Sequence, residues 1–483
     1  MKSRAISATL WSSADILLRQ GLQFAVSIAL ARLLSPEEFG TIALLYLFIG
    51  IASAFVDSGF SAALIQRQDV THTDESTVFW FNLAMGALVA LALWAAAPAI
   101  AGFYALPILV PLTAVMALNI FLSALGSIHG TLLTKRLDFR TQMKVGAITA
   151  VISGAVAVYM ASRGYGVWAL AAQTVVATGV TTALLWLFNR WRPALVFSVP
   201  SARSLFRFGG YMLASALLAT AFSRMYTLLI GKFYGVRELG FYNRADGTQQ
   251  LPVGVLTGIL GRVAFPIFSA AADDKAQLRR GLQLALRAIM LLNVPMMLGL
   301  AAVAEPLVLA LFGAKWLPAV PIMQVLCVGG VLWPLHVINL NVLMAQGYSD
   351  LFFRLEVIKQ LLGVGLLAVG TYYGVMGVAW SQVVFGILAF AINAHYTKRH
   401  LNYSILAQAR DFLPTIAISL PMALTVHWVG TQVRVAPAVK LISLTALGAL
   451  IFLMLAWGFR LAALHDAFDL LKRRKPPVHG PQL

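Results

Sequence analysis

Arg19, Arg224, Arg244, Arg262 and Arg287 lie inside stretches that are otherwise apolar enough to cross a bilayer. An arginine at a bilayer centre costs roughly 2.5 to 3.5 kcal/mol on insertion scales, so such positions face protein or water rather than lipid. Guanidinium groups are planar forks that match the paired oxygens of a phosphate, and several of them in one place would hold an anion. Asp15, Asp57 and Asp246 are near the arginines in sequence, and Glu356 lies between Arg354 and Lys359. These four carboxylates are candidates for carrying a coupling proton or sodium ion, or for pairing with the cations and locking helices together. Glu356 is placed to form a salt bridge at the membrane edge. Arg287 is the weakest anion ligand, because it falls near the end of its span, where a long side chain can snorkel out.

The elements that must position these residues follow from composition. Of 483 residues, 60% are hydrophobic and 11% charged, too little polar surface to coat a soluble globule. The chain reads as an all-α integral membrane protein, with roughly fourteen apolar runs long enough to cross the hydrocarbon. Lipid satisfies no open backbone polar groups, and the runs far exceed barrel strands, so they are helices. The first, seventh and eighth, near 10–33, 208–233 and 240–268, carry most of the intramembrane charge. Asp15, Arg19, Gln20 and Gln23 interrupt the first run, which argues against a cleaved signal peptide.

A net charge of +18 would suit nucleic acid only if the cations were gathered in one domain. They are spread over short links, which is the pattern of membrane topology. With a cytoplasmic N-terminus, the inside links take most of the lysines and arginines, among them Arg67, Lys135, Arg136, Arg140, Arg190, Arg192, Lys359 and Lys472 to Lys475. The outside links hold Arg32, Arg163, Lys232, Arg237, Lys315, Arg434 and Lys440. Both termini are expected to be cytoplasmic, in a bacterial inner membrane. Ser201 to Phe208 and Asp273 to Gly281 read as short amphipathic cytoplasmic pieces between spans. Ala463 to Leu471 reads as a helix lying on an anionic leaflet ahead of a disordered tail.

The chain also repeats itself. Arg32-Leu33-Leu34-Ser35-Pro36-Glu37-Glu38-Phe39-Gly40 matches Lys232-Phe233-Tyr234-Gly235-Val236-Arg237-Glu238-Leu239-Gly240, and Tyr165-Gly166-Val167 through Ala171 matches Tyr373-Gly374-Val375 through Ala379. The repeat unit is about six spans, and an even number makes the copies parallel, related by an axis along the membrane normal. The expected layout is an N-lobe at 1–195, a C-lobe at 196–400, two extra helices in 401–462, and an amphipathic segment and tail at 463–483. Ser35-Pro36-Glu37-Glu38 forms a capping box that opens the second span.

Leu33 to Gly40, Asp57-Ser58-Gly59-Phe60, Lys135 to Arg140, Glu305-Pro306-Leu307 and Leu311-Phe312-Gly313-Ala314-Lys315-Trp316 resemble the polysaccharide flippases of the Wzx and WzxC type, within the MATE-like flippase superfamily. The resemblance covers nearly the whole chain. It implies that an undecaprenyl-pyrophosphate-linked oligosaccharide, an exopolysaccharide or O-antigen repeat unit, moves from the cytoplasmic to the outer leaflet by alternating access. It also implies a cationic central cavity for the pyrophosphate, with arginines on the first, second, seventh and eighth helices. Here Arg19, Arg224, Arg244 and Arg262 fit that pattern, whereas the second span carries Asp57 and no arginine.

Other classes fit less well. No phosphate-binding loop with its lysine is present, so drive would come from the membrane potential or from proton or sodium antiport rather than a cofactor. A membrane-embedded polymerase or glycosyltransferase would need acid, base or metal residues on a sizeable loop, so the chain is not expected to be an enzyme. The eight histidines are scattered, and His395 with His400 do not stack on a helix; no metal site is expected. A multidrug exporter would share the fold but favours acidic cavities. Expected partners are a polyprenyl-pyrophosphate-linked glycan, membrane lipids and polysaccharide assembly proteins, not nucleic acid.

Overall fold

Several helices begin at a side-chain cap that the sequence supplies. In the computed structural model, which describes residues 20–57, 59–67, 69–270 and 274–464, helix α1 (20–33) runs into the Ser35 link. There the Ser35 backbone N–H donates to Glu38 Oε2 (2.6 Å) and the Glu38 N–H to Ser35 Oγ (3.4 Å), the capping box read from the sequence. It opens α2 (Pro36–Asp57), which is followed by α3 (Phe60–Gln66), α4 (His72–Tyr104), α5 (Leu109–Lys135), α6 (Phe139–Ser162), α7 (Val167–Phe188), α8 (Val199–Ser223) and α9 (Met225–Phe233). Then come α10 (Gly235–Ala270), α11 (Lys275–Ala302), α12 (Ala304–Leu311), a 3-10 turn (Ala314–Trp316), α13 (Ala319–Ala345), α14 (Ser349–Tyr372), α15 (Gly374–Leu401), α16 (Ile405–Gln432) and α17 (Pro437–Gly458).

The protein is all-helical over these residues and spans a membrane many times. Ten of the described helices are long and apolar enough to cross; α8 with α9, α10 and α14 lie where the seventh, eighth and eleventh spans were expected, and of the expected first span only 20–33, helix α1, falls within the described residues. Two expected spans are broken, the second near Gly59 and the seventh at Arg224, where the backbone leaves helical geometry (φ −105°). Ser201 to Phe208 is not a separate piece. Ser198 caps α8 by accepting from the Ser201 N–H, Pro200 starts the first turn, and nothing breaks the helix before Ser223. Lys275 to Gly281 likewise forms the first turns of α11, capped by Asp274. The terminal amphipathic segment lies almost entirely outside the described residues.

The chain divides into two compact units, Met1–Gly240 and Phe241–Leu483. In the first, α5 packs against α2, α4 and α7, and α6 against α7. One end of this unit collects links that the sequence assigns to the inside: Lys135 Nζ donates to the Arg67 carbonyl (2.8 Å), an Arg67 guanidinium N–H to Ser204 Oγ (3.2 Å), and His72 Nε2 meets the Arg192 carbonyl (3.1 Å). The aromatic core beneath them holds Phe60, Phe79, Ile128, Leu132 and Trp191.

Links assigned to the outside meet as well, and there the first sequence repeat closes on itself. Gly40 and Gly240, the last residues of the two matched motifs, sit against the opposite motif's backbone. A Cβ on Gly40 would lie 1.7 Å from the Val236 carbonyl oxygen, and one on Gly240 would lie 2.0 Å from that of Pro36. Only glycine permits this reciprocal approach. In the second repeat both glycines take positive φ, Gly166 at 58° and Gly374 at 84°, at the start of the next helix.

The second unit is organised on α11, which packs against α13 and α16, with α13 and α14 both against α15. Leu282, Leu286, Met290, Val294, Leu335, Ile338 and Phe412 form its main core, and Asn293 Nδ2 ties α11 to α13 through the Gly330 and Val331 carbonyls, both at 3.0 Å.

Candidate functional site

Of the four arginines expected to hold an anion, Arg19 lies outside the described residues, as does Asp15, and Arg262 falls on α10. Arg224 occupies the break between α8 and α9, where its N–H bonds the Thr220 carbonyl and its own carbonyl starts the next helix. The side chain is solvent-exposed and close enough to the Tyr46 hydroxyl of α2 to act on it electrostatically. An arginine at a helix break can move with the break, which a mid-helix arginine cannot.

Arg244 is held differently. On α10, its guanidinium carbon lies 4.7 Å from the Phe312 ring centre and 5.0 Å from that of Trp316, geometry that supplies about 0.5 to 2 kcal/mol of cation–π attraction. Those two rings belong to the Leu311 to Trp316 motif. The motif thus fixes the position of a cation on another helix, a role that its sequence did not announce.

Arg287 does not snorkel. Its Nε (2.9 Å) and an Nη (2.6 Å) both donate to Asp411 Oδ1 across α11 and α16. The other Asp411 oxygen accepts the hydroxyl of fully buried Tyr403. Burial, followed by the adjacent Asp411 carboxylate, holds the Tyr403 pKa well above the usual phenol value, so it stays protonated and donates. Asp411 was missed because it sits more than a hundred residues from Arg287, and nothing in local sequence connects the two.

Among the carboxylates, Asp57 accepts the Ser61 hydroxyl at the α2–α3 break, and Asp246 accepts from Gln250 (3.4 Å) beside a cavity of about 70 Å³ in the second unit. Glu356 pairs with Lys359 on α14, as its sequence neighbourhood suggested. The pair is not at an open membrane edge, however. Lys359 is 1% exposed, and its Nζ also approaches His336 Nδ1 of α13 (3.5 Å), which Asn393 Nδ2 of α15 meets at 2.8 Å. The Lys359 charge is therefore neutralised inside protein and is not a link cation. His336 also lines the 70 Å³ cavity with Asp246, so a chain of polar groups runs from that cavity to Glu356. His336 and Asn393 were not legible because a lone His or Asn in an apolar helix signals nothing until its neighbours are known.

A larger cavity, about 750 Å³, lies in the first unit between α1, α2, α5, α6 and α7. No group of three or more His, Cys, Asp or Glu that could hold a metal occurs among the described residues.

Residues 29–321 match the family described as polysaccharide biosynthesis protein. The teichuronic acid biosynthesis protein TuaB of Bacillus subtilis (strain 168) is 32% identical over 417 residues, covering 84% of this chain and 85% of that one. The lipopolysaccharide biosynthesis protein WzxC of Escherichia coli (strain K12) is 28% identical over 405 residues, 81% of each. In three dimensions the chain resembles the lipid II flippase MurJ in an inward closed conformation, with a TM-score of 0.74 at 16% identity over 93% of this chain and 98% of that one, a likeness of fold. The chain belongs to the polysaccharide biosynthesis protein family, and it is a multi-pass membrane protein with the fold seen in MurJ.

Proposed function

We propose that this protein carries an undecaprenyl-pyrophosphate-linked oligosaccharide from the cytoplasmic to the outer leaflet of a bacterial inner membrane by alternating access, with both termini cytoplasmic. The observation that carries the reading is the placement of arginine within apolar helices in a chain of this family, Arg224 above all, exposed at a helix break. A diphosphate diester carries about two negative charges that cannot cross hydrocarbon unaided, and guanidinium forks replace its water shell with paired hydrogen bonds. Arg19, Arg224, Arg244 and Arg262 supply those cations through a cationic cavity, while the polyprenyl chain stays in lipid. Arg244 enters pre-oriented by Phe312 and Trp316.

The inside-negative potential favours outward movement of the anion by about 2.3 kcal/mol per charge per 100 mV. Asp246 and Glu356, joined by His336 and Lys359, are the ionisable groups that would couple a proton or sodium ion, with Asp15 and Asp57 as further candidates. The lobes are taken as 1–195 and 196–400, followed by two extra helices in 401–462.

The test is reconstitution in vesicles with a fluorescent polyprenyl-pyrophosphate saccharide and a membrane-impermeant quencher. Protein-dependent exposure of the label that Arg224→Ala abolishes and Arg224→Lys restores only in part supports the proposal. Efflux of lipophilic cations without movement of the lipid-linked saccharide would replace it with the exporter reading.

A further inference from the structure

The 750 Å³ cavity of the first unit is lined, among the described residues, by hydroxyls, amides and glycines. It falls in the roughly 300 to 1,000 Å³ range of small-molecule sites, and its walls are mostly serine, threonine, glutamine and glycine, with no charged side chain among the described residues that line it. Hydroxyls in membrane helices commonly bond back to their own helix, and some here do: Thr174 to the Leu170 carbonyl and Thr134 to that of Gly130. Others do not. The side chains of Gln23, Ser123, Ser153, Gln173 and Thr178 face this space with no hydrogen bond among the described residues. Gln23 is exposed, Ser123, Gln173 and Thr178 are half-buried and Ser153 is buried, so these groups are open to water or to a polar ligand that enters the space.

The chemistry of the lining selects that ligand. Among the described lining residues an anion finds no cation, and an acyl chain would leave those five amides and hydroxyls without partners. A neutral, many-hydroxyl molecule would give each wall group a partner, because a hydroxyl donates and accepts. Glycines bring the walls together at two points and leave room at a third. Gly126 brings α5 against Thr182 of α7, where an added Cβ would lie 2.7 Å from Oγ1, and Gly154 brings α6 against Val26 of α1. One turn along α5, Gly130 faces open space, with nothing within 4 Å of an added Cβ. At the rim, the Tyr46 hydroxyl meets Thr174 Oγ1 (3.1 Å), and the Arg224 charge lies within electrostatic range of it.

We infer that this cavity binds neutral sugar residues of the transported glycan. The inference rests on the flippase reading for the identity of its cargo but not for the existence of the site. A cation at the rim with an uncharged hydroxyl pocket behind it matches a ligand whose anionic diphosphate is joined to neutral sugar. Family members that carry different glycans would then differ in these wall residues.

Two measurements test it. In a Cys327→Ser background, Thr178→Cys is alkylated with a neutral maleimide in the presence of maltose, lactose or cellobiose, or of inorganic pyrophosphate. At least one disaccharide should slow the reaction threefold or more, pyrophosphate should not, and Gly130→Leu, which fills the space, should remove the protection. In cells lacking their own copy, Gly130→Leu should lower glycan export tenfold or more at unchanged abundance, Thr178→Val should lower it less, and Gly102→Leu, on an open face of α4 away from the cavity, should export normally. If Gly130→Leu accumulates poorly, Thr178→Val, which removes one hydroxyl at constant shape, decides. Wild-type export with full export by both cavity variants overturns the site and leaves the flippase reading standing. Sugar protection at position 178 without glycan export by the wild type sustains the site and overturns the flippase reading.

Discussion

The two units handle polarity inside a membrane in opposite ways. Among the described residues, the first lines its large cavity with hydroxyls and amides, whereas the second holds two internal ion pairs. Arg287, Asp411 and Tyr403 join α11 to α16, and Glu356, Lys359, His336 and Asn393 join α13, α14 and α15. Asn339, Gln408 and Thr397 add an uncharged ring, with bonds of 2.8 to 3.1 Å. Hydroxyls both donate and accept and are easily re-partnered, so they suit a surface that a ligand enters and leaves. Buried ions are costly unless paired in one geometry, so they suit contacts that hold still or titrate as a unit.

If that contrast is right, charge deletions in the second unit should act on stability and hydroxyl deletions in the first on transport. The largest effect is expected at Asp411. Asp411→Ala strands Arg287 and should lower the thermal unfolding midpoint of purified protein by the equivalent of roughly 3 kcal/mol, while Arg287→Met with Asp411→Leu should recover most of it. A double variant as unstable as the single would mean that Asp411 acts through Tyr403 instead.

The next largest effect should come from Lys359→Met, which leaves the Glu356 carboxylate without its charged donor and costs roughly 2 kcal/mol. Adding Glu356→Gln should restore stability. If transport nonetheless stays lost in that stable double variant while its pH dependence disappears, the pair couples ions; full transport with ordinary pH dependence would make it a helix lock alone.

Phe312→Leu should cost about 1 kcal/mol through lost cation–π attraction and weaken diphosphate-lipid binding about as much as Arg244→Lys does. Unchanged binding would remove Arg244 from the proposed anion site. The smallest stability change, under about 1 kcal/mol, is expected for Thr149→Val with Thr181→Val, a hydroxyl pair at 3.0 Å in the cavity wall. A large drop in thermal midpoint there would end the distinction between the units.

Much of the frame was legible in sequence, because apolar length and helix punctuation are local properties. The Ser35 to Glu38 capping box formed as its spacing required, and both repeated motifs occupy corresponding helix starts. The continuity of Ser201 to Phe208 with α8 was missed because amphipathic composition obscured a cap and a proline that were in plain view. Of the site, the charged residues stood out in apolar surroundings, and the Glu356–Lys359 contact followed from a separation of three on one helix.

What the sequence by itself determined is therefore the class of molecule, the helices and the residues too polar for lipid. Tertiary structure decided what each of those residues touches. It set Arg244 on two rings of a distant motif, gave Arg287 to Asp411, sank Lys359 from a supposed link into the protein, and closed Gly40 and Gly240 on each other's chains. It also made a cavity from serines and threonines that are individually ordinary in membrane helices. The reason is physical: the cost of burying a charge or a hydroxyl is fixed by residue type, whereas the partner that offsets it is chosen by helix packing across large sequence separations.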